Sequence, residues 1–227
     1  MSTPETYNRI VAVGVDIQND FIPGGSLAVE GGDKIVRPFN ELAAWVRQEH
    51  EGIVAFTRDW HPEQTSHFGF PPNFETTWPV HCVANTLGAS FHPDLDVRDT
   101  DPVLSKGTLP DEDAYSGFQA VTHDGLTLET LTRPLLHERV AVVIGGLATD
   151  YCVKATVLDA LRFAKHYETD PKRDIGVFVL SDLIKAVAPE SGAKAIEEMK
   201  EAGVRFITSA ELIEGQVIEV RESQWSR

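Results

Sequence analysis

Four residues in this chain have side chains suited to acyl-transfer chemistry, and each follows a short run of branched apolar residues: Asp16, Asp59, Lys106 and Cys152. Cys152 comes after the run 139–145 and the small-residue turn Gly145-Gly146-Leu147-Ala148, where a helix is expected to begin with Thr149 or Asp150 as N-cap. Backbone N–H groups at a helix start favour a thiolate, lowering a cysteine pKa from about 8.5 towards neutrality. They can also receive the oxyanion formed when that thiolate attacks an acyl carbon. Asp16 and Lys106 add a carboxylate and an ammonium, the partners a thiol needs for proton transfer and charge compensation. Plainer readings stand beside these. An isolated cysteine is more often a small buried residue, and Asp16 and Lys106 are equally suited to a surface ion pair.

Asp59 lies in Thr57-Arg58-Asp59-Trp60-His61, which sets a carboxylate and an imidazole two residues apart at a strand end, where both can point the same way. His67 and His81 follow in the same long connection. Asp and His together suit a borderline divalent ion, zinc first, with iron or manganese as alternatives, and incomplete coordination leaves positions for water or substrate. Most solitary Asp-x-His pairs are simply solvated, so the extra histidines carry the metal reading. Phe21, Trp60, Trp78 and Tyr115 lie in segments adjoining these residues. Each alone reads as core; together they would suit a flat aromatic ligand.

The elements that must position these groups alternate. Val- and Ile-rich runs at 9–16, 52–57, 102–105, 139–145, 174–180 and 203–208 read as strands, and helical spacing appears at 34–49, around Val153, Val157, Leu161 and Ala164, and at 190–202. Near-continuous apolar strands imply a sheet buried on both faces, hence a parallel α/β fold with helices over it. In such sheets ligands bind beyond the carboxyl ends of the strands, where Asp16, Asp59, Lys106 and Cys152 fall. The proline-rich connection 58–101 is too long for an ordinary loop and is either functional or disordered.

Composition narrows the partners. At 227 residues without an internal repeat or compositional break, the chain is expected to form a single domain spanning 1–227. A formal charge of −15 would repel phosphate backbones and anionic bilayers, so neither nucleic acid nor membrane is an expected partner. The polar start MSTPETYNR lacks the regions of a signal peptide, and only two cysteines, Cys82 and Cys152, are present. A cytoplasmic location is expected. Cys82 beside His81 reads as packing near the site rather than as a redox or metal group.

Six segments, VDIQNDFIPGGSLAV at 15–29, FTRDWHP at 56–62, WPVHCVANT at 78–86, LSKG at 104–107, DAYSGF at 113–118 and GGLATDYCVKATVLDA at 145–160, together resemble the nicotinamidase/pyrazinamidase branch of the isochorismatase-like cysteine hydrolases. The resemblance covers about residues 9–208. It implies a three-layer αβα fold around a mainly parallel six-stranded sheet, a triad of Asp16, Lys106 and Cys152, and a cis peptide between Leu147 and Ala148. In this family that bond turns the Ala148 N–H to join that of Cys152 in an oxyanion hole. The resemblance further implies Asp59, His61 and His81 as ligands of one divalent metal and Phe21, Trp78 and Tyr115 as the substrate pocket. The implied activity is hydrolysis of nicotinamide to nicotinate and ammonia through a cysteine thioester, with pyrazinamide also accepted and a role in NAD salvage.

Two departures from the family pattern bear on detail. Where many relatives read His-x-Ser-Phe, this chain reads Thr65-Ser66-His67-Phe68, so a further ligand is His67, Ser66 or water; and Leu147 replaces a common Val. Competing expectations are another amidohydrolase of the same scaffold with a different amide, and a noncatalytic binding protein. Small-molecule amides are the expected partners, with a homo-oligomer compatible with the sequence.

Overall fold

The computed structural model describes residues 3–49 and 52–221, so the extreme ends of the expected 1–227 domain lie outside the described residues. In chain order the elements are β1 (Glu5–Tyr7), β2 (Arg9–Val15), α1 (Val36–Glu49), β3 (Ile53–Asp59), β4 (Val103–Lys106), α2 (Leu128–Thr132), β5 (Glu138–Leu147), α3 (Lys154–Ala164), β6 (Arg173–Lys185), α4 (Pro189–Glu201), β7 (Arg205–Ile207), α5 (Ser209–Ile213) and β8 (Ile218–Val220). Six strands form one sheet in the order β4-β3-β2-β5-β6-β7, and every pairing in it is parallel. The six strand-like runs of the sequence correspond to these six strands. The short β1 and β8 pair separately, Glu5 opposite Ile218, and have no counterpart in the sequence reading.

Strand alternation feeds two cores. In β2, Ile10 and Ala12 join the cluster covered by α1 and α5, through Phe39, Leu42, Val46 and Leu212. Val11, Val13 and Val15 face the opposite cluster, covered by α2, α3 and α4 through Leu128, Val157, Phe163 and Met199. With both faces buried, a period-2 strand shows no polar side, which is why these strands read as continuous apolar runs. The result is a three-layer αβα fold. Among the described residues no helix is long and apolar enough to cross a membrane.

The sheet order reverses beside β2: β3 and β4 extend one way from it, and β5, β6 and β7 the other. A crevice opens at such a switch point, beyond the strand carboxyl ends. Close backbone contact seals its floor. Gly146 has φ +132°, and a Cβ there would lie 2.1 Å from the Val15 carbonyl oxygen, so only glycine lets β5 approach β2 this closely. One residue further on, the Leu147–Ala148 peptide is cis.

Candidate active site

Each polar group at the crevice is set there by the end of its own strand. Asp16 follows β2 with φ +50°, a conformation non-glycine residues adopt only under local constraint, and its side chain is fully buried. Thr57, on neighbouring β3, donates to Asp16 Oδ1 at 2.6 Å. Lys106, the last residue of edge strand β4, is 1% exposed and lies with its ammonium 2.9 Å from Asp16 Oδ2, against Asp59 Oδ1, and 3.4 Å from Cys152 Sγ. One cation therefore touches two carboxylates and a thiol that are far apart in sequence.

Electrostatics follow from that crowding. Burial lifts the Asp16 carboxyl above the ordinary carboxylate range; Lys106 works against the rise and Asp59 adds to it. Burial would raise Asp59 too, but Lys106 with His61 and His81 overcomes it and holds that group well below the usual range. Burial acts to strip the Lys106 proton, and Asp16 and Asp59 outweigh it, so Lys106 stays charged. The Cys152 thiol is pushed well up by burial, which Lys106 opposes and the two carboxylates reinforce. The expected helix-start effect is thus outweighed: two carboxylates already face one ammonium, and a resting thiolate would add uncompensated negative charge.

The local structure around Cys152 also differs from expectation. The chain makes a π-turn over Thr149–Val153 before α3 starts at Lys154, with Ala148 in the capping position and no side-chain cap. Thr149 and Asp150 therefore do not cap this helix. The Asp150 carboxylate instead accepts from the backbone of Val187 and Ala188 and from the Ser191 hydroxyl, because a distant set of donors offers it more than the local backbone.

Beside the triad positions lies a cluster of imidazoles. Single ligand atoms of His61, His67 and His81 lie within 4.8 Å of one another, all three residues buried. His61 Nδ1 is 3.0 Å from the Gly107 carbonyl and His81 Nδ1 is 2.7 Å from the Pro79 carbonyl. A carbonyl can only accept, so each Nδ1 carries a proton, which makes Nε2 the atom of each ring free to bind a metal. Those Nε2 atoms stand 3.8 and 3.9 Å from Asp59 Oδ2, and His61 Nε2 has no hydrogen-bond partner among the described residues. Burial and the neighbouring imidazoles pull His67 down to about 4, and burial also lowers His81. Inward-facing imidazoles, two of them oriented by carbonyls, beside a carboxylate fit a divalent metal. Gly107, at φ +63°, makes the cradle, since a Cβ there would meet the His61 ring at 2.4 Å.

Ser66 is the exception. It is exposed and its hydroxyl donates to the Pro110 carbonyl, so it does not join the cluster, whereas His67 does. Asp16, Asp59 and Cys152 also cluster, but the Lys106 ammonium already contacts all three.

Beside these groups opens a pocket lined by Phe21, Trp78 and Tyr115 together with Tyr151, Leu27 and Val187. Trp78 Nε1 donates to the Tyr115 hydroxyl at 3.0 Å, and burial pushes that phenol up to about 12. Tyr151 meets Trp78 edge-on at 4.9 Å. Cys152 and Ala148 form part of the floor, with Asp59, His67 and His81 alongside. Trp60 is not part of this pocket; Arg58 stacks on its ring at 3.6 Å, and it packs against the α1-side core. Cys82 is fully buried, its N–H donating to Asp20 Oδ2.

Several supporting residues were not anticipated from the sequence. Thr57 is one. Gln18 is another: its amide donates to the carbonyls of Asp59 and Ala89 and accepts from the Asp59 N–H, tying the β3 end to the 82–91 loop. Thr57 lies in FTRDWHP and Gln18 in VDIQNDFIPGGSLAV, the segments that carry the family resemblance.

Known proteins share this architecture. An isochorismatase domain model matches residues 11–211. A nicotinamidase/pyrazinamidase of Mycobacterium tuberculosis is 38% identical over 196 residues, covering 86% of this chain and 97% of that protein. The crystal structure of a pyrazinamidase of Pyrococcus horikoshii in complex with zinc superposes with a TM-score of 0.72 at 37% identity, covering 88% of this chain and 99% of that one. An L. infantum structure in complex with nicotinate gives a TM-score of 0.72 at 30% identity, covering 97% and 99%.

Proposed function

Because this chain belongs to the isochorismatase family, we propose that it is a nicotinamidase, hydrolysing nicotinamide to nicotinate and ammonia, and that it also accepts pyrazinamide. The observation that carries this reading is the contact of Lys106 Nζ with both Asp16 and the Sγ of Cys152, a residue that lines an aromatic pocket. A flat pyridine ring suits the walls of Trp78, Tyr115 and Phe21, which leaves its carboxamide to meet the thiol.

Asp16 takes the Cys152 proton as the sulfur attacks the carboxamide carbon; a carboxyl lifted by burial is well matched to holding that proton and returning it. The ammonium of Lys106 offsets the negative charge as the proton moves. The N–H groups of Ala148 and Cys152 receive the tetrahedral oxyanion. Asp16 then gives its proton to the departing nitrogen as the C–N bond breaks, releasing ammonia and leaving a thioester. Water attacks that thioester with Asp16 accepting one of its protons, the C–S bond breaks as that proton passes to sulfur, and the acid leaves as nicotinate, its remaining proton going to solvent.

Asp59, His61, His67 and His81 are the residues that would hold a divalent metal, with zinc as the assignment the donor set and the zinc-bound relative favour. When bound, it supplies a Lewis-acidic anchor for a ring nitrogen. The reading extends to one domain across the chain, a cytoplasmic enzyme in NAD salvage, and a small-molecule partner without nucleic acid or membrane; a homo-oligomer is compatible with it.

The test is ammonia release from nicotinamide by reduced protein, chelated and then restored with zinc, iron or manganese. Metal-dependent release is expected. Folded protein that releases nothing under any of these conditions, while hydrolysing another amide, would move the assignment to that substrate.

A further inference from the structure

Asp150 is a buried carboxylate two residues from the nucleophile, and the chemistry above does not use it. It sits inside the turn Thr149–Val153, yet its side chain leaves that turn. Oδ1 accepts from the Val187 N–H at 3.0 Å, and Oδ2 accepts from the Ala188 N–H at 3.4 Å and from the Ser191 hydroxyl.

The receiving element explains why. Helix α4 runs for 13 residues from Pro189, and its N-cap position is Ala188, with no side-chain cap of its own. Alanine is a poor cap, and Pro189 brings no N–H. The chain entering α4, through the N–H groups of Val187 and Ala188, and the Ser191 hydroxyl of its first turn therefore find their acceptor on another element, beside the positive end of the helix. That acceptor is the nucleophile turn. Val187, held by the same carboxylate, lines the ligand pocket.

We propose that Asp150 is a positioning residue: by capping α4 from the nucleophile turn it holds Cys152 and the Ala148–Cys152 backbone against the pocket wall at Val187. This rests on the amidase reading given above. Its consequence is that the rigidity of α4 is passed to the attacking sulfur, so removing the cap misplaces the nucleophile instead of merely softening a helix. A displacement of about 1 Å at a reacting atom can cost on the order of 100-fold in rate.

The experiment compares Asp150→Asn, Ser191→Ala and Glu197→Gly with the parent protein, all metal-replete. Asn presents an N–H towards donors that need an acceptor, Ser191→Ala removes one of the three bonds, and Glu197→Gly weakens α4 at an exposed site away from the clamp. Expected is a kcat for nicotinamide lower by roughly 100-fold in Asp150→Asn and by about threefold or more in Ser191→Ala, with KM within threefold and metal content unchanged. Glu197→Gly is expected to lower Tm while leaving kcat alone. If Asp150→Asn does not fold, Ser191→Ala decides.

A kcat within twofold of the parent in every folded clamp variant, whatever their Tm, overturns the proposal. If the parent releases no ammonia from nicotinamide, it is the functional reading that has failed. The clamp is then read without substrate, from the rate at which iodoacetamide alkylates Cys152, Cys82 being fully buried. A rate changed at least threefold in either direction in the clamp variants, but not in Glu197→Gly, supports it, and an unchanged rate refutes it.

Discussion

Replacing Lys106 by methionine removes the ammonium that contacts Asp16 and Asp59, at a position 1% exposed. Methionine fills much of the same volume, so the packing loss is small and the electrostatic loss dominates. Breaking a buried ion pair by deleting one partner costs about 3–5 kcal/mol, because the charge left behind is neither solvated nor compensated. Two carboxylates are left here. For a chain of this size each kcal/mol corresponds to roughly 2–4 °C, so Lys106→Met should lower Tm by about 6–20 °C at pH 7. The sign with pH follows from which state holds the protons. Buried carboxyls deprived of their cation have folded-state pKa values above those of the unfolded chain, so the penalty is present above the folded pKa and fades as pH falls through it. The gap between parent and variant should therefore shrink on acidification. Thermal melts of chelated protein at pH 7 and pH 5 measure both quantities without metal affinity entering. A deficit below about 3 °C at pH 7, or one that is the same at both pH values, would falsify the claim that the Lys106 ammonium compensates these buried charges.

Other predictions rest on single contacts. Cys152→Ala should abolish turnover while binding of nicotinate stays measurable by calorimetry; turnover at even a few per cent of the parent would remove Cys152 as nucleophile. His61→Ala and His67→Ala should each lose metal by elemental analysis, whereas Ser66→Ala should retain it, and the reverse pattern would reassign the ligands. Gly146→Ala should be strongly destabilising, because its Cβ would fall 2.1 Å from the Val15 carbonyl oxygen; a Tm within a degree or two of the parent would show that β2 and β5 can part at little cost.

What could be read from the sequence was whatever depends on pattern or on a complete motif. The six sheet strands were legible because burial on both faces makes each an apolar run, and β2 and β5 are the clearest cases. Strands β1 and β8 were not: each is three residues long, and their pairing joins Glu5 to Ile218, a match no local pattern encodes. The same divide runs through the site. Asp16, Lys106 and Cys152 announce themselves by chemical type at strand ends, but Thr57 reveals its role only through a bond to Asp16 across 41 positions. Thr149 or Asp150 was expected to cap the helix beside it, yet neither does, and the Asp150 carboxylate instead accepts from Val187, Ala188 and Ser191 at the start of the helix that begins at Pro189. The thiol was expected to be acidified by its helix start, but burial beside two carboxylates outweighs that local field. In each case a long-range partner outweighed a local preference, and long-range partners are what a single sequence conceals.

The crevice draws on groups with very different separations along the chain. The imidazole cluster and Asp59 lie between residues 59 and 81, within one connection, while Asp16 and Cys152 meet only when strands from opposite halves of the chain are in register. During synthesis the prospective metal donors are thus all present long before Cys152 is added. An incomplete chain already carries these imidazoles and this carboxylate, and does not yet carry the thiol. Hydrolysis must arrive last, as a property of the finished sheet, which makes amide turnover a stricter report of native assembly than metal content.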